Sequence, residues 1–356
     1  MTWTEWRAAA ERSLPILAGF LIAGAGGLVF ALLNLPAPWI AGSTLAVSVA
    51  ALLRVPLAMP NRLRDLLFIL LGISMGSGVS PESVHRFPQW PLSLAIVALS
   101  VGLITGVAYL YFRRVAGWDW RTAFLASVPG ALSYVLAVAI GTEADIRRVV
   151  ISQSLRVLLL VVVLPFGIVG LTPPAPGGPP VPLPASWTDL ALLLAAGAAS
   201  GLLAERAGLP AGRLTGAFVA SAVLHGAGVV EANLPPWLLI PSFLGISLIV
   251  GVRFAGTDLA LLRSTLGTSL AGFLIGGACA VLCAWGTVLL VSVGWGPSLL
   301  AFAPGGLEAM TALSFTLGLD PAFVATHQLF RFMGIALFVP AVFVALDRRA
   351  GPPPPP

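Results

Sequence analysis

Apolar residues run along this chain in stretches on the scale of a bilayer, separated by short polar clusters, and the stretches fall into two sets of six. The first set covers about 14–33, 36–53, 65–79, 90–112, 120–140 and 148–171; the second covers about 188–205, 213–230, 237–252, 263–293, 298–317 and 322–346. A helix needs ~20 apolar residues to cross a hydrocarbon core ~30 Å thick, so the pattern predicts an all-α integral membrane protein. Between the sets lies TPPAPGGPPVPLP, Thr172 to Pro184, whose prolines exclude a helix and predict an extended connection outside the membrane. The chain thus divides into a first membrane unit (1–171), a linker (172–186), a second membrane unit (187–349) and a short proline tail (350–356) expected to be disordered.

The two units match in register. Pro129, Gly130, Leu132, Asp145, Val149, Gln153, Arg156 and Pro165 correspond to Pro304, Gly305, Leu307, Asp320, Val324, Gln328, Arg331 and Pro340 at one constant offset of 175 positions. The match extends outward, with small changes of offset. Leu35-Pro36-Ala37 with Gly42 corresponds to Leu209-Pro210-Ala211 with Gly216, Leu71-Gly72-Ile73-Ser74 to Leu244-Gly245-Ile246-Ser247, and Trp120 to Trp295. The reading is an internal duplication of the whole unit.

Composition sharpens the class: 58% of residues are hydrophobic and 9% charged, against roughly a quarter charged in a soluble domain. The net charge of +5 comes from arginines scattered between apolar runs. They read as topology signals rather than a nucleic-acid surface, and they discriminate between two arrangements. If all six segments of each half span, the halves are parallel, and Arg206, Arg213, Arg253 and Arg263 fall opposite the arginines of the first half. If the segments at 120–140 and 298–317 dip in and return, each half has five spans plus one re-entrant element, and the second half is inverted. Every loop arginine except Arg86 then falls on one side. The second arrangement predicts ten spans, with both termini cytoplasmic. The first apolar run, preceded by Glu5 and Glu11, is expected to be a spanning helix rather than a cleaved signal peptide.

Proline and glycine in short apolar segments at matching points of two halves point to a transporter binding site. Pro129, Gly130, Pro304, Gly305 and Gly306 would break their helices and free backbone N–H groups able to attract an anion; a simple kink is the plain alternative. Gln153 and Arg156, like Gln328 and Arg331, are three apart and share a helix face. Asp145 and Asp320 are expected to be helix N-caps, which puts each arginine about 16 Å into the core at 1.5 Å per residue. An arginine at that depth must pair or face water. Either the two pairs meet at the midplane and hold a substrate oxyanion, or each arginine ties its neighbouring break by bonding to the carbonyls there; both are kept. Glu308 stands where the first copy has Ser133, and is the candidate coupling residue, with a salt bridge to Arg331 as its alternative. His327 abuts Gln328 and aligns with Ser152, which makes packing at least as good a reading as titration. Cys279 and Cys283 read as small packing residues. No cofactor or metal site is expected. The bilayer, a small-molecule substrate and a second copy of the chain are the expected partners; nucleic acid is not contacted directly.

The doubled PG…D…Q-x-x-R…P element resembles the membrane AbrB family, the Gram-negative AbrB-duplication proteins, over nearly the whole chain. Its most specific part is the second copy, APGGLEAM…GLDPAFVATHQLFRF; the first departs in having Ala131 and Ser133. The resemblance implies a membrane protein linked to regulation of gene expression. Members also carry an ammonia monooxygenase label, but oxygen chemistry on copper needs clustered imidazoles, and three scattered histidines do not supply them. The five-plus-re-entrant inverted plan also resembles the elevator carboxylate transporters, an analogy of architecture alone.

Overall fold

In the computed structural model, which describes residues 3–81, 87–130, 132–139, 142–171, 186–209, 211–291 and 293–350, every regular element is helical. The helices of the first half are α1 (Trp3–Leu32), α2 (Pro38–Leu52), α3 (Asn61–Gly76), α4 (Trp90–Leu110), α5 (Trp120–Ser127), α6 (Leu132–Ala139) and α7 (Ile146–Leu171). Those of the second are α8 (Trp187–Arg206), α9 (Gly212–Gly226), α10 (Pro236–Gly251), α11 (Leu259–Leu290), α12 (Trp295–Phe302), α13 (Leu307–Thr316) and α14 (Pro321–Ala350). Among the described residues, seven helices are long and apolar enough to cross a membrane: α1, α4, α7, α8, α10, α11 and α14, α4 counted with the turn that follows it and α10 with the short turn Val252–Phe254. The other three expected spans, α2, α3 and α9, are 15, 16 and 15 residues long. Residues 172–185 of the linker and 351–356 of the tail lie outside the described residues.

Local chemistry sets the helix starts. Asp119, Ser186 and Asp258 accept the N–H of Thr122, Asp189 and Ala260, satisfying donors that a helix start leaves free. Asp145 and Asp320 cap α7 and α14 in the same way, through Arg148 N (3.2 Å) and Phe323 N (3.0 Å). Ala37 and Ala211, at the head of α2 and α9, both hold the left-handed conformation with φ 50° and 49°.

Helices approach through small residues, as packing in lipid favours. A Cβ on Gly42 of α2 would strike the Gly26 backbone of α1, and one on Gly216 of α9 the Ser200 backbone of α8. Gly72 and Gly76 of α3 lie against Leu214 and Ser221 of α9 respectively, so these two helices run in the same direction. Likewise Ser247 and Gly251 of α10 meet Ile40 and Val47 of α2. One bundle therefore interleaves α1–α3 with α8–α10. A second holds α4–α7 and α11–α14, with α4 packed on α11. Leucines such as Leu14, Leu99, Leu203 and Leu337 face outward, an apolar exterior suited to lipid.

Candidate functional site

The apolar stretches at 120–140 and 298–317 are each two short helices with a break between them. The first break is Val128-Pro129-Gly130, between α5 and α6; the second is Ala303-Pro304-Gly305-Gly306, between α12 and α13. Proline removes a donor and crowds the preceding turn, and Gly130 adopts φ +97°, open to glycine at little cost. A helix that stops inside a membrane leaves its last carbonyls unpaired, at a depth where lipid offers them no partner.

The Gln-x-x-Arg motif supplies those partners. Gln153 of α7 donates from Nε2 to the Leu125 carbonyl (2.7 Å), and Arg156 from Nη2 to the Val128 carbonyl (3.0 Å). In the second copy, Gln328 of α14 donates to the Leu300 carbonyl (2.5 Å), while Arg331 donates from Nη1 to Ala303 (2.5 Å) and from Nη2 to Gly305 (2.9 Å). The acceptors correspond at the same offset as the donors. Each arginine also donates to the amide oxygen of its own glutamine. All four side chains are buried, and Arg156 keeps a buried Nε without a partner. No carboxylate among the described residues pairs with either arginine.

The two breaks touch: a Cβ on Gly130 would lie 3.1 Å from the Gly305 carbonyl oxygen. On one side of this contact is a cavity of about 400 Å³, within the range of ligand pockets, about 300–1,000 Å³. Pro129, Gly130, Gly305 and Gly306 form its floor with Gln153, Gln328 and Arg331, and Glu308 stands at its wall. Arg156 and Pro304 instead line a separate cavity of about 20 Å³, with Ser127, Ser152 and Ser269. That is room for about one water. The residues singled out from the sequence are thus divided between two cavities.

Glu308 makes no ion pair with Arg331, whose donors go to carbonyls and to Gln328. His327 is fully buried; its Nδ1 donates to the Phe323 carbonyl (2.8 Å) and its Nε2 lies 2.8 Å from Ser93 Oγ on α4. Its counterpart Ser152 bonds Ser269 Oγ on α11 at 2.7 Å. Each closing helix is pinned to the long helix of the other half. Cys279 and Cys283 are free, half-buried thiols of α11.

Two lining residues escaped the sequence reading. Arg64 of α3 and Arg253, just past α10, both reach the large cavity. Each flanks one copy of Leu-Gly-Ile-Ser, and those copies sit on helices that pack together. As arginines at segment ends they had been absorbed into the topology count.

A floor of broken helices, seven apolar helices of membrane-spanning length and a buried polar centre define a multi-pass helical membrane protein. The chain belongs to the AbrB family: the family model described as "Transition state regulatory protein AbrB" matches residues 39–347. It is 25% identical over 343 residues to the Escherichia coli (strain K12) protein named "Putative regulator AbrB", covering 95% of each chain. It is also 25% identical over 376 residues to "Uncharacterized protein YhjN" of Bacillus subtilis (strain 168), covering 96% of this chain and 95% of that one.

Proposed function

We propose that the protein is a secondary transporter, not an enzyme, that carries a small organic anion across the bacterial inner membrane. The observation that carries this reading is the cavity floored by two apposed helix breaks and lined by Arg64, Arg253 and Arg331. Broken helices at corresponding points of two halves are where transporters bind substrate. An inverted arrangement of the halves, with ten spans and both termini cytoplasmic, is supported by the shared direction of α3 and α9. Two up-down-up units in the same orientation would set those helices against each other. It is supported too by Arg64 and Arg253 lining one cavity, since the positive-inside rule assigns arginines at span ends to the cytoplasmic side.

The test is uptake of labelled small carboxylates by proteoliposomes. Arg331→Ala, which frees the carbonyls of the second break, is expected to lower uptake at least about ten-fold, the effect of ~1.4 kcal/mol. Uptake that survives the substitution intact counts against the reading. The names of the family and of the Escherichia coli relative favour a second one, a membrane-embedded regulator that binds a ligand and signals to a partner. It expects ligand binding without flux, and altered transcription when the gene is deleted.

A further inference from the structure

Two charged groups at the cavity wall remain unused by the architecture. Arg156 and Arg331 spend donors on carbonyls, and Arg64 is held by Asp65 at 2.9 Å. Arg253 and Glu308 differ: among the described residues neither is hydrogen-bonded, and neither has an ion pair within 4.0 Å. Both are half-buried and line the same large cavity, and both also line a smaller void beside Phe68 and Ile249. The Glu308 carboxylate attracts Arg253 electrostatically across that gap. An unpaired arginine and an unpaired carboxylate lining one cavity form an unfinished ion pair, whose cation is offered to whatever anion enters.

The charges around Glu308 show which anion. From α14 it faces Arg331, from α3 Arg64 with its neutralising Asp65, and from beyond α10 Arg253. The cavity positions of α7 are Gln153 and Val157, both uncharged, and α2 and α12 carry no titratable residue. Arg253 and Arg331 thus stand against Glu308 alone. The centre has an excess of one positive charge with Glu308 ionised and two, the match of a dicarboxylate, with it protonated, and a low-dielectric surround magnifies the difference.

We propose that Arg253 is the direct ligand of the transported anion and Glu308 its resident competitor, so that a small dicarboxylate binds together with one proton. This rests on the transporter reading. In the empty site the carboxylate of Glu308 holds the field of Arg253. A proton from the aqueous side converts it to the neutral acid, and a substrate carboxylate takes its place against the guanidinium. Release reverses both steps, and no other bond is made or broken.

The test reads the cavity's field without turnover. In a background with Cys279 and Cys283 replaced, Ile249→Cys places a reporter one helical turn before Arg253. Its labelling rates with anionic 2-sulfonatoethyl and cationic 2-(trimethylammonium)ethyl methanethiosulfonate are compared as a ratio, which cancels the thiolate fraction. Glu308→Gln is expected to raise the anionic-to-cationic ratio about three-fold or more, and Arg253→Gln to lower it as much, while Arg253→Lys preserves it. Because the proton is taken up only with the substrate, protection of the reporter by succinate is expected to strengthen from about pH 8 to about pH 6.5 and to lose that dependence in Glu308→Gln. Succinate is expected to slow labelling, and acetate to do so much less. A ratio unmoved by Glu308→Gln or Arg253→Gln, or a pH response that persists in Glu308→Gln, overturns the proposal. So does a reporter that neither reagent reaches. Equal protection by both acids, or by neither, overturns the dicarboxylate assignment. A null result in proteoliposome uptake would count against transport, whereas this ratio tests the Arg253–Glu308 competition by itself.

Discussion

Arg156 and Arg331 occupy matching positions and do unequal amounts of structural work. Arg331 spans two break carbonyls, Ala303 and Gly305, whereas Arg156 reaches one, Val128, and leaves Nε unpaired. A lysine supplies a point charge and cannot reproduce a planar fork. Arg331→Lys is therefore expected to destabilise the protein by about 1–3 kcal/mol, the cost of a buried acceptor left unmade, and Arg156→Lys by less. Thermal unfolding in detergent checks the order, and a larger loss at 156 would refute it. At this scale the sequence was informative wherever spacing decides: a separation of three puts glutamine and arginine on one face. It left open whether the guanidinium ties the break or holds a ligand, because both uses need the same depth. It was silent on Arg253, since an arginine at a segment end reads alike whether it meets bulk water or a cavity wall.

The breaks and the glycine seams belong to the scale of the element. Gly130 combines φ +97° with an approach to the Gly305 carbonyl that a methyl would bring to 3.1 Å. Gly102, on α4, has nothing within 4 Å of where its Cβ would stand. Gly130→Ala is accordingly expected to cost about 1–3 kcal/mol and to depress uptake. Gly102→Ala is expected to be neutral, or stabilising by up to ~1 kcal/mol. Paired melting curves decide it, and equal effects would contradict the role given to the first break. Hydrophobic runs located nearly every helix, because length and apolarity suffice for that. The stop at Ser127 and restart at Leu132 were legible as well, since Pro129-Gly130 marked the point. Which helices would interleave was hidden, since an apolar face carries no record of its partner; Gly72 and Gly216 become legible only as crossings.

At the scale of the molecule, the proposed topology is open to direct measurement. Single cysteines at Thr172 and Gly256, with Cys279 and Cys283 replaced, are expected to label with an impermeant thiol reagent from the periplasmic and the cytoplasmic side respectively. Labelling of 172 from the cytoplasm would mean parallel halves and remove the midplane site's main support. The recurrence of proline, aspartate, glutamine and arginine in register was readable in the sequence; the interleaving of α1–α3 with α8–α10 was not. That interleaving bears on the order of events at the ribosome. Ser152 finds its hydroxyl partner 117 residues downstream and His327 finds its own 234 residues upstream. While the first half is being inserted, α4 and α7 wait in lipid for helices not yet translated. Neither half is complete before α14 is made.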